Sequence, residues 1–155
     1  MKLKTEIKKY LDRSVLCWLA TSSRDNLPNV SPKEAFTHYD DTIIIANIAS
    51  PQTLKNISQN KYVCLSFIDI FVQKGFQLKG EAKIIDKTNV EFDAMNKTLR
   101  QIIGDKFPFS SITKITVTQA KPIIAPSYIL YPETTTEAEQ IEISKNTYLI
   151  NQNTI

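Results

Sequence analysis

The chain has 155 residues, of which 42% are hydrophobic and 23% charged, and its formal net charge is +3 at pH 7. This length and composition predict one globular domain with a hydrophobic core. A net charge this small, spread along the chain, excludes a basic stripe that would bind nucleic acid. No apolar run approaches the roughly 20 residues that a membrane helix requires, and residues 1–14 lack the apolar core of a secretory signal. Cys17 and Cys64 lie in apolar runs, which predicts buried, reduced thiols in a cytoplasmic protein.

Six strands and three helices are predicted from the spacing of apolar residues. In chain order they are a helix at 2–13, strands at 15–21, 29–36 and 42–47, a helix at 50–58, strands at 62–68 and 76–84, a helix at 88–103 and a strand at 112–120. The first strand is apolar on both faces, which predicts burial on both. Because proline cannot donate to a ladder, Pro32 predicts that the second strand is interrupted, bulged or at an edge there. Gly80, on the apolar face of the fifth, predicts a close approach of another backbone or a bend.

The fold class follows from the few, short helices. Doubly wound folds need long crossover helices between parallel strands, and this chain lacks them. We therefore predict a mainly β protein, a small barrel with helical plugs and caps. We place the barrel domain at residues 1–120 and treat 121–155 as its C-terminal extension, because Pro122, Pro126 and Pro132 disfavour regular structure there. Whether this extension packs on the domain, on a partner or on neither stays open.

No catalytic motif is present in the sequence. The common nucleophile, metalloprotease and phosphate-loop patterns are absent, and three glycines are too few for a glycine-rich nucleotide loop. The single histidine, His38, lies in a polar turn, so we predict neither a metal site nor a triad with a histidine base. The scattered carboxylates predict no acid–base pair.

The stretch 42–57, TIIIANIASPQTLKNI, joins an apolar strand to a helix start. Ser50 suits the N-cap and Pro51 the first helical position. A helix N-terminus favours anions, and Gln52 and Thr53 add donors in the first turn. The alternative interpretation is an ordinary strand-to-helix connection with a well-capped helix.

A groove is predicted where the proline-broken strand meets this helix start. If strands 29–36 and 42–47 pair, the segment Ser31–Lys33 comes close to Ser50. A ligand with a phosphate at one end and a flat ring at the other would fit such a groove, with the ring along the irregular strand.

Four segments together resemble a known family. The succession LATSSRDNLPNVSPKEAF, IIIANIASPQTLKNI, YVCLSFID and FQLKGEAKII is similar to the flavin-binding split-barrel proteins related to pyridoxamine 5′-phosphate oxidase, over about residues 10–120. The resemblance rests on the order and spacing of the segments. It implies a six-stranded split β-barrel that forms a homodimer and binds FMN in grooves at the subunit interface.

The resemblance also implies a set of cofactor contacts. Matching positions are Ser31, Pro32 and Lys33 along the isoalloxazine ring, Asn47 beside the ribityl chain, Ser50, Gln52 and Thr53 at the phosphate turn, and Lys74 as a further contact, from the second subunit. Many members carry Arg or Lys at the first helical positions, where this chain has Gln52 and Thr53. Lys55 or the helix dipole would then have to compensate.

The activity implied by the resemblance is that of an FMN-dependent oxidoreductase. The flavin would exchange a hydride or electrons with an unidentified small substrate, Lys33 would place positive charge near the ring, and catalytic side chains stay unassigned. The true oxidase grips pyridoxal phosphate with a C-terminal segment rich in Arg, His and Trp, and this chain has none of these after Arg100. We therefore do not expect it to oxidise pyridoxamine phosphate. The alternatives are a non-catalytic flavin carrier or sensor, and a split barrel that binds haem or a deazaflavin or serves as a dimerising module.

Overall fold

A seven-stranded antiparallel sheet forms the body of the protein. The computed structural model describes residues 1–150, so residues 151–155 of the predicted C-terminal extension lie outside the described part. The strands are β1 (Cys17–Ser22), β2 (Pro28–Lys33), β3 (Phe36–Tyr39), β4 (Thr42–Ala46), β5 (Tyr62–Asp69), β6 (Lys74–Asp86) and β7 (Ser111–Ile124). The helices are α1 (Thr5–Arg13), α2 (Pro51–Gln59), α3 (Phe92–Ile103), α4 (Pro126–Leu130) and α5 (Glu137–Ile150). The prediction of a mainly β chain with short helices is confirmed.

The sheet curls into a half-barrel with strand order β2-β1-β5-β6-β7-β4-β3. The long pair β6 and β7 changes register between Lys79 and Gly80. A β-carbon added at Gly80 would lie 2.4 Å from the carbonyl oxygen of Thr116 on β7. The predicted close approach of another backbone at Gly80 is thus confirmed.

The predicted strand 29–36 is two strands, and the predicted count of six is therefore wrong. β2 ends at Lys33 and pairs with β1, whereas β3 begins at Phe36 and pairs with β4 at the other end of the sheet. The break directly follows Pro32, where the sequence predicts an irregularity, and Ala35 beyond it is buried. Pro32 is tolerated because β2 is an edge strand.

Two further predictions about strands are corrected. Trp18, in a strand predicted to be buried on both faces, is 49% exposed. β7 continues past Ala120 and through Pro122 to Ile124. Beyond Thr116 only β6 pairs with β7, so a proline there does not interrupt a second ladder.

The C-terminal extension packs on the turn between β5 and β6. The Ser144 hydroxyl of α5 donates to the carbonyl oxygen of Phe71 at 2.9 Å, and the Tyr128 hydroxyl of α4 donates to that of Val72 at 2.9 Å. Ser144 and Gln140 are buried against the body of the protein. No helix within residues 1–150 is both long and apolar enough to cross a membrane.

β4 lies between two hydrophobic clusters. Ile43 and Ile45 pack in the cluster that includes α1 residues, whereas Ile44 and Ala46 pack in the cluster beneath α3. Burial of alternate residues in opposite cores explains why this strand is apolar throughout. The same burial on both faces fixes the position of the end of β4, where the predicted phosphate turn begins.

Replacing Gly80 with alanine should lower the free energy of unfolding by about 3 kcal/mol, since the new β-carbon overlaps a backbone oxygen that cannot move alone. Gly104→Ala is the comparison variant, and its cost comes from the backbone alone. Its β-carbon meets nothing within 4 Å, whereas its φ of +62° and ψ of −158° lie in a region that favours glycine. Urea unfolding measures both variants, and a Gly80→Ala protein as stable as wild type would contradict the close packing.

Candidate functional site

The ammonium group of Lys33 lies at the start of α2. Its Nζ donates to Ser50 Oγ at 2.6 Å and lies 3.5 Å from Thr53 Oγ1. The groove predicted here does form, although β2 and β4 do not pair. Instead, the backbone N–H of Ala46 donates to the carbonyl oxygen of Ala35 at 2.9 Å, which holds the end of β4 beside the chain that follows β2.

Lys33 is a buried cation without a counter-ion. It is 6% exposed, and it forms no ion pair with any residue of the described range 1–150. Cys17 on β1 pairs with Lys33 on β2. It supplies no negative charge to Lys33, because burial raises the pKa of its thiol to about 12. Burial also lowers the pKa of Lys33. Because an unpaired buried charge is costly, this position favours binding of an anion.

The first turn of α2 is open at its N-terminus. Ser50 occupies the predicted N-cap position and Pro51 the first helical position, but no side chain caps the helix. The Ser50 hydroxyl donates to the carbonyl oxygen of Ile48 at 2.9 Å instead. The Gln52 side chain is engaged within the helix, where its Nε2 donates to Asn56 Oδ1 at 2.7 Å. The free backbone N–H groups of the first turn can therefore serve an anion.

A cavity of about 220 Å³ opens beside Lys33. It is lined by Pro32, Lys33, Ala46, Ile48, Ile103 and Phe107, among others. The residues that line it are apolar except for Lys33 and Glu34. Such a cavity fits a ligand with an anionic end and an apolar body.

The sequence carries the signature of one family across most of its length. A family model described as pyridoxamine 5′-phosphate oxidase matches residues 3–130. The chain belongs to this family. No curated protein matches the sequence.

Solved structures of similar fold extend this result. HupZ of Group A Streptococcus is 23% identical with a TM-score of 0.66, and the match covers 76% of this chain and 91% of that one. A putative pyridoxamine 5′-phosphate oxidase of Lactobacillus delbrueckii is 21% identical with a TM-score of 0.62, covering 77% and 93%. An FMN-binding protein of Syntrophomonas wolfei is 18% identical with a TM-score of 0.64, covering 77% and 84%. At these identities the likeness shows the fold alone.

The predicted cofactor contacts of this pyridoxamine 5′-phosphate oxidase family member separate into groups. Lys33, Ser50 and Thr53 converge through the hydrogen bonds given above, and Pro32 lies beside them in the cavity wall. Ser31 is half-buried on β2, and its hydroxyl lies 3.5 Å from the carbonyl oxygen of Pro32. Part of the predicted set thus meets at one point.

Asn47 has a different set of partners. Its Nδ2 donates to Ser111 Oγ at 3.2 Å, and its Oδ1 accepts from Thr113 Oγ1 at 2.8 Å. These bonds tie the end of β4 to β7. The amide of Asn47 therefore positions the strand from which the predicted phosphate turn begins.

Lys74 is held by the C-terminal extension. Its Nζ donates to Glu137 Oε1 at 2.8 Å and lies 4.3 Å from the centroid of the Tyr128 ring. The hydrogen bond raises the pKa of Lys74 and lowers that of Glu137. Within one protomer Lys74 is already paired, and its contact with a cofactor of the second subunit stays a prediction.

Among the cavity residues that the sequence did not predict, Ile103 and Phe107 lie far along the chain from the others. They lie at the end of α3 and in the loop before β7. Ile103 carries the apolar spacing of α3 and looks like any core residue. For Phe107 the sequence gives one indication, which is that an aromatic residue lies in a predicted turn. An exposed aromatic side chain in a turn can mark a contact surface.

Proposed function

We propose that this chain is an FMN-dependent oxidoreductase of the pyridoxamine 5′-phosphate oxidase family that acts as a homodimer on a small substrate. The observation that supports it is the buried Lys33 ammonium, which lacks a counter-ion and lies at an uncapped helix start beside an apolar cavity. FMN has the matching chemistry, because it carries a phosphate monoester at one end and a flat ring at the other. The structure of similar fold from Syntrophomonas wolfei is that of an FMN-binding protein, which agrees with this choice.

Each end of the cofactor has its own residues in this proposal. Lys33, Ser50, Thr53 and the first backbone N–H groups of α2 hold the phosphate. The predicted ring-side role of Lys33 is replaced by this one, because its ammonium lies 2.6 Å from the Ser50 hydroxyl. Ser31 and Pro32 keep their predicted place along the ring. When bound, the flavin supplies hydride or electron exchange, and the protein binds it, orients it and excludes water from it.

The homodimer is proposed from an exposed apolar surface. Trp18 on β1 borders a groove of about 460 Å³ that also includes Leu16, Ile70 and Phe71. These side chains remain partly exposed in the single chain. Continuous apolar patches of this kind mark interaction sites. We assign the surface to a second copy of the chain, which would complete the cofactor groove.

The absorption spectrum tests flavin binding directly. We expect the purified protein to show flavin absorption bands, or to gain them on incubation with FMN followed by gel filtration. A protein that shows no such bands and takes up no FMN contradicts the proposal. Heat-denatured supernatant then identifies the released cofactor by mass.

Reduction of the bound flavin tests the oxidoreductase activity. Anaerobic addition of NADH or NADPH should bleach the flavin bands, and a suitable electron acceptor should restore them. FMN that stays oxidised with both donors would leave flavin binding intact and contradict the oxidoreductase assignment in favour of a carrier.

A further inference from the structure

We propose that the loop at residues 104–110, between α3 and β7, forms a wall of the cofactor site, with Phe107 in contact with the apolar part of the flavin. Arg100 on α3 is the positioning residue that holds this loop. The inference rests on the proposed flavin binding, and it adds residues that lie far along the chain from the predicted site.

Phe107 lines the same cavity as Lys33. Ile103 and Pro32 belong to the same wall. Phe107 is 45% exposed, and the Lys106 ammonium lies 5.5 Å from the centroid of its ring, so part of the ring is free to contact a ligand. Because Lys33 holds the anionic end, an aromatic ring in the remaining apolar wall suits the flat part of the ligand.

The loop is fixed by two anchors. Arg100 Nη1 donates to the carbonyl oxygens of Gly104 and Phe107, both at 2.9 Å. The Arg100 guanidinium also lies 4.5 Å from the centroid of the Phe109 ring, and Phe109 is buried against Phe92 at a centroid distance of 6.5 Å. The backbone of Phe107 is therefore held in place while its side chain stays exposed at the cavity. This arrangement is typical of a prepared contact surface.

The test compares FMN with riboflavin, which lacks the phosphate. Phe107→Ala should weaken binding of both ligands by about tenfold, since stacking on an aromatic ring is lost. It should also change the visible circular dichroism of the bound flavin, and Phe107→Tyr should restore both. Ile102→Ala is the matched control, because Ile102 is 52% exposed on the same helix and does not line the cavity.

Arg100→Lys tests the positioning role. Lysine keeps the charge, but its ammonium lacks the planar guanidinium that bonds two carbonyl oxygens and stacks on Phe109. We expect faster dissociation of FMN and riboflavin and the same change in circular dichroism as in Phe107→Ala. Lys97→Ala, at an exposed position of α3, should change neither.

The outcomes separate this inference from the proposed function. Wild-type protein that binds flavin, together with a Phe107→Ala variant of unchanged affinity and spectrum, overturns the inference and leaves flavin binding intact. A loss confined to FMN also overturns it, because Phe107 would then act at the phosphate. Wild-type protein that binds neither flavin overturns the proposed function itself. Unfolding of the flavin-free variants shows whether they are folded.

Discussion

Replacing Lys33 with methionine is expected to weaken FMN binding by about a hundredfold and to leave riboflavin binding unchanged. A hydrogen bond to a charged group contributes about 1.5–3 kcal/mol, and each 1.4 kcal/mol is tenfold in affinity. Methionine preserves the length of the buried stem and removes the charge. Because Lys33 is buried without a counter-ion, the flavin-free variant should be at least as stable as wild type. Fluorescence titration measures the affinities, and thermal unfolding measures the stability.

Lys55→Met is the matched control for this variant. Lys55 is an exposed residue of the same helix, and the sequence suggested it as the cation that compensates for Gln52 and Thr53. We expect it to change FMN affinity by less than threefold, because an exposed charge is screened by water and salt. If Lys33→Met weakened riboflavin and FMN equally, or if Lys55→Met had the larger effect, the phosphate site would not be at Lys33.

The pH dependence of FMN affinity provides a second measure of Lys33. Burial lowers the pKa of this lysine in the flavin-free protein, and a bound phosphate dianion would raise it again. Binding then takes up a proton at high pH, so affinity should fall as pH rises through the lowered pKa. It should also fall below about pH 6, where the phosphate gains a proton. In the Lys33→Met variant only the acidic decline should remain, which titrations across the pH range can determine.

The sequence predicted the helix start at Ser50 and the approach of Ser31–Lys33 to it, but not the hydrogen bond from the Lys33 ammonium to Ser50. Ser50 and Pro51 are local signals, since capping and the fixed φ of proline act within one turn. Lys33 reaches this turn because β2 and β3 separate to opposite ends of the sheet, which residues 29–36 do not reveal. Long-range strand pairing is decided by the whole sheet. The approach of Lys33 to the helix start was therefore predicted from a strand pairing that does not occur, and the contact of its ammonium with Ser50 could not be predicted.

The C-terminal extension shows a different limit of sequence patterns. α5 turns polar residues inward, since Gln140 and Ser144 are buried while Ile143 is exposed. Its contacts are specific hydrogen bonds, such as that of Ser144 to the carbonyl oxygen of Phe71. Apolar periodicity identifies helices that bury an apolar stripe, so it did not predict α5. The pairing of Lys74 with Glu137 was hidden for the same reason.

Replacing Trp18 with glutamate is expected to convert the homodimer into a monomer. Trp18 projects from β1 into the apolar groove that we assign to the second copy. A buried aromatic residue at the centre of an interface commonly contributes 2 kcal/mol or more, and a carboxylate there must also be desolvated. In the single chain Trp18 is 49% exposed, so the substitution should leave the fold of the protomer intact. Sedimentation velocity at micromolar concentration measures the change.

Val90→Glu separates a specific interface from a general effect of added charge. Val90 is 96% exposed in the turn before α3, away from the groove, and its substitution should leave a dimer. If the second copy completes the cofactor groove, Trp18→Glu should also weaken FMN and riboflavin together, by at least tenfold. That pattern differs from the FMN-specific loss expected at Lys33, because the partner would contact the ring and not the phosphate. A monomeric wild type, or a Trp18→Glu variant that dimerises normally, would assign the apolar groove to a ligand other than a second chain.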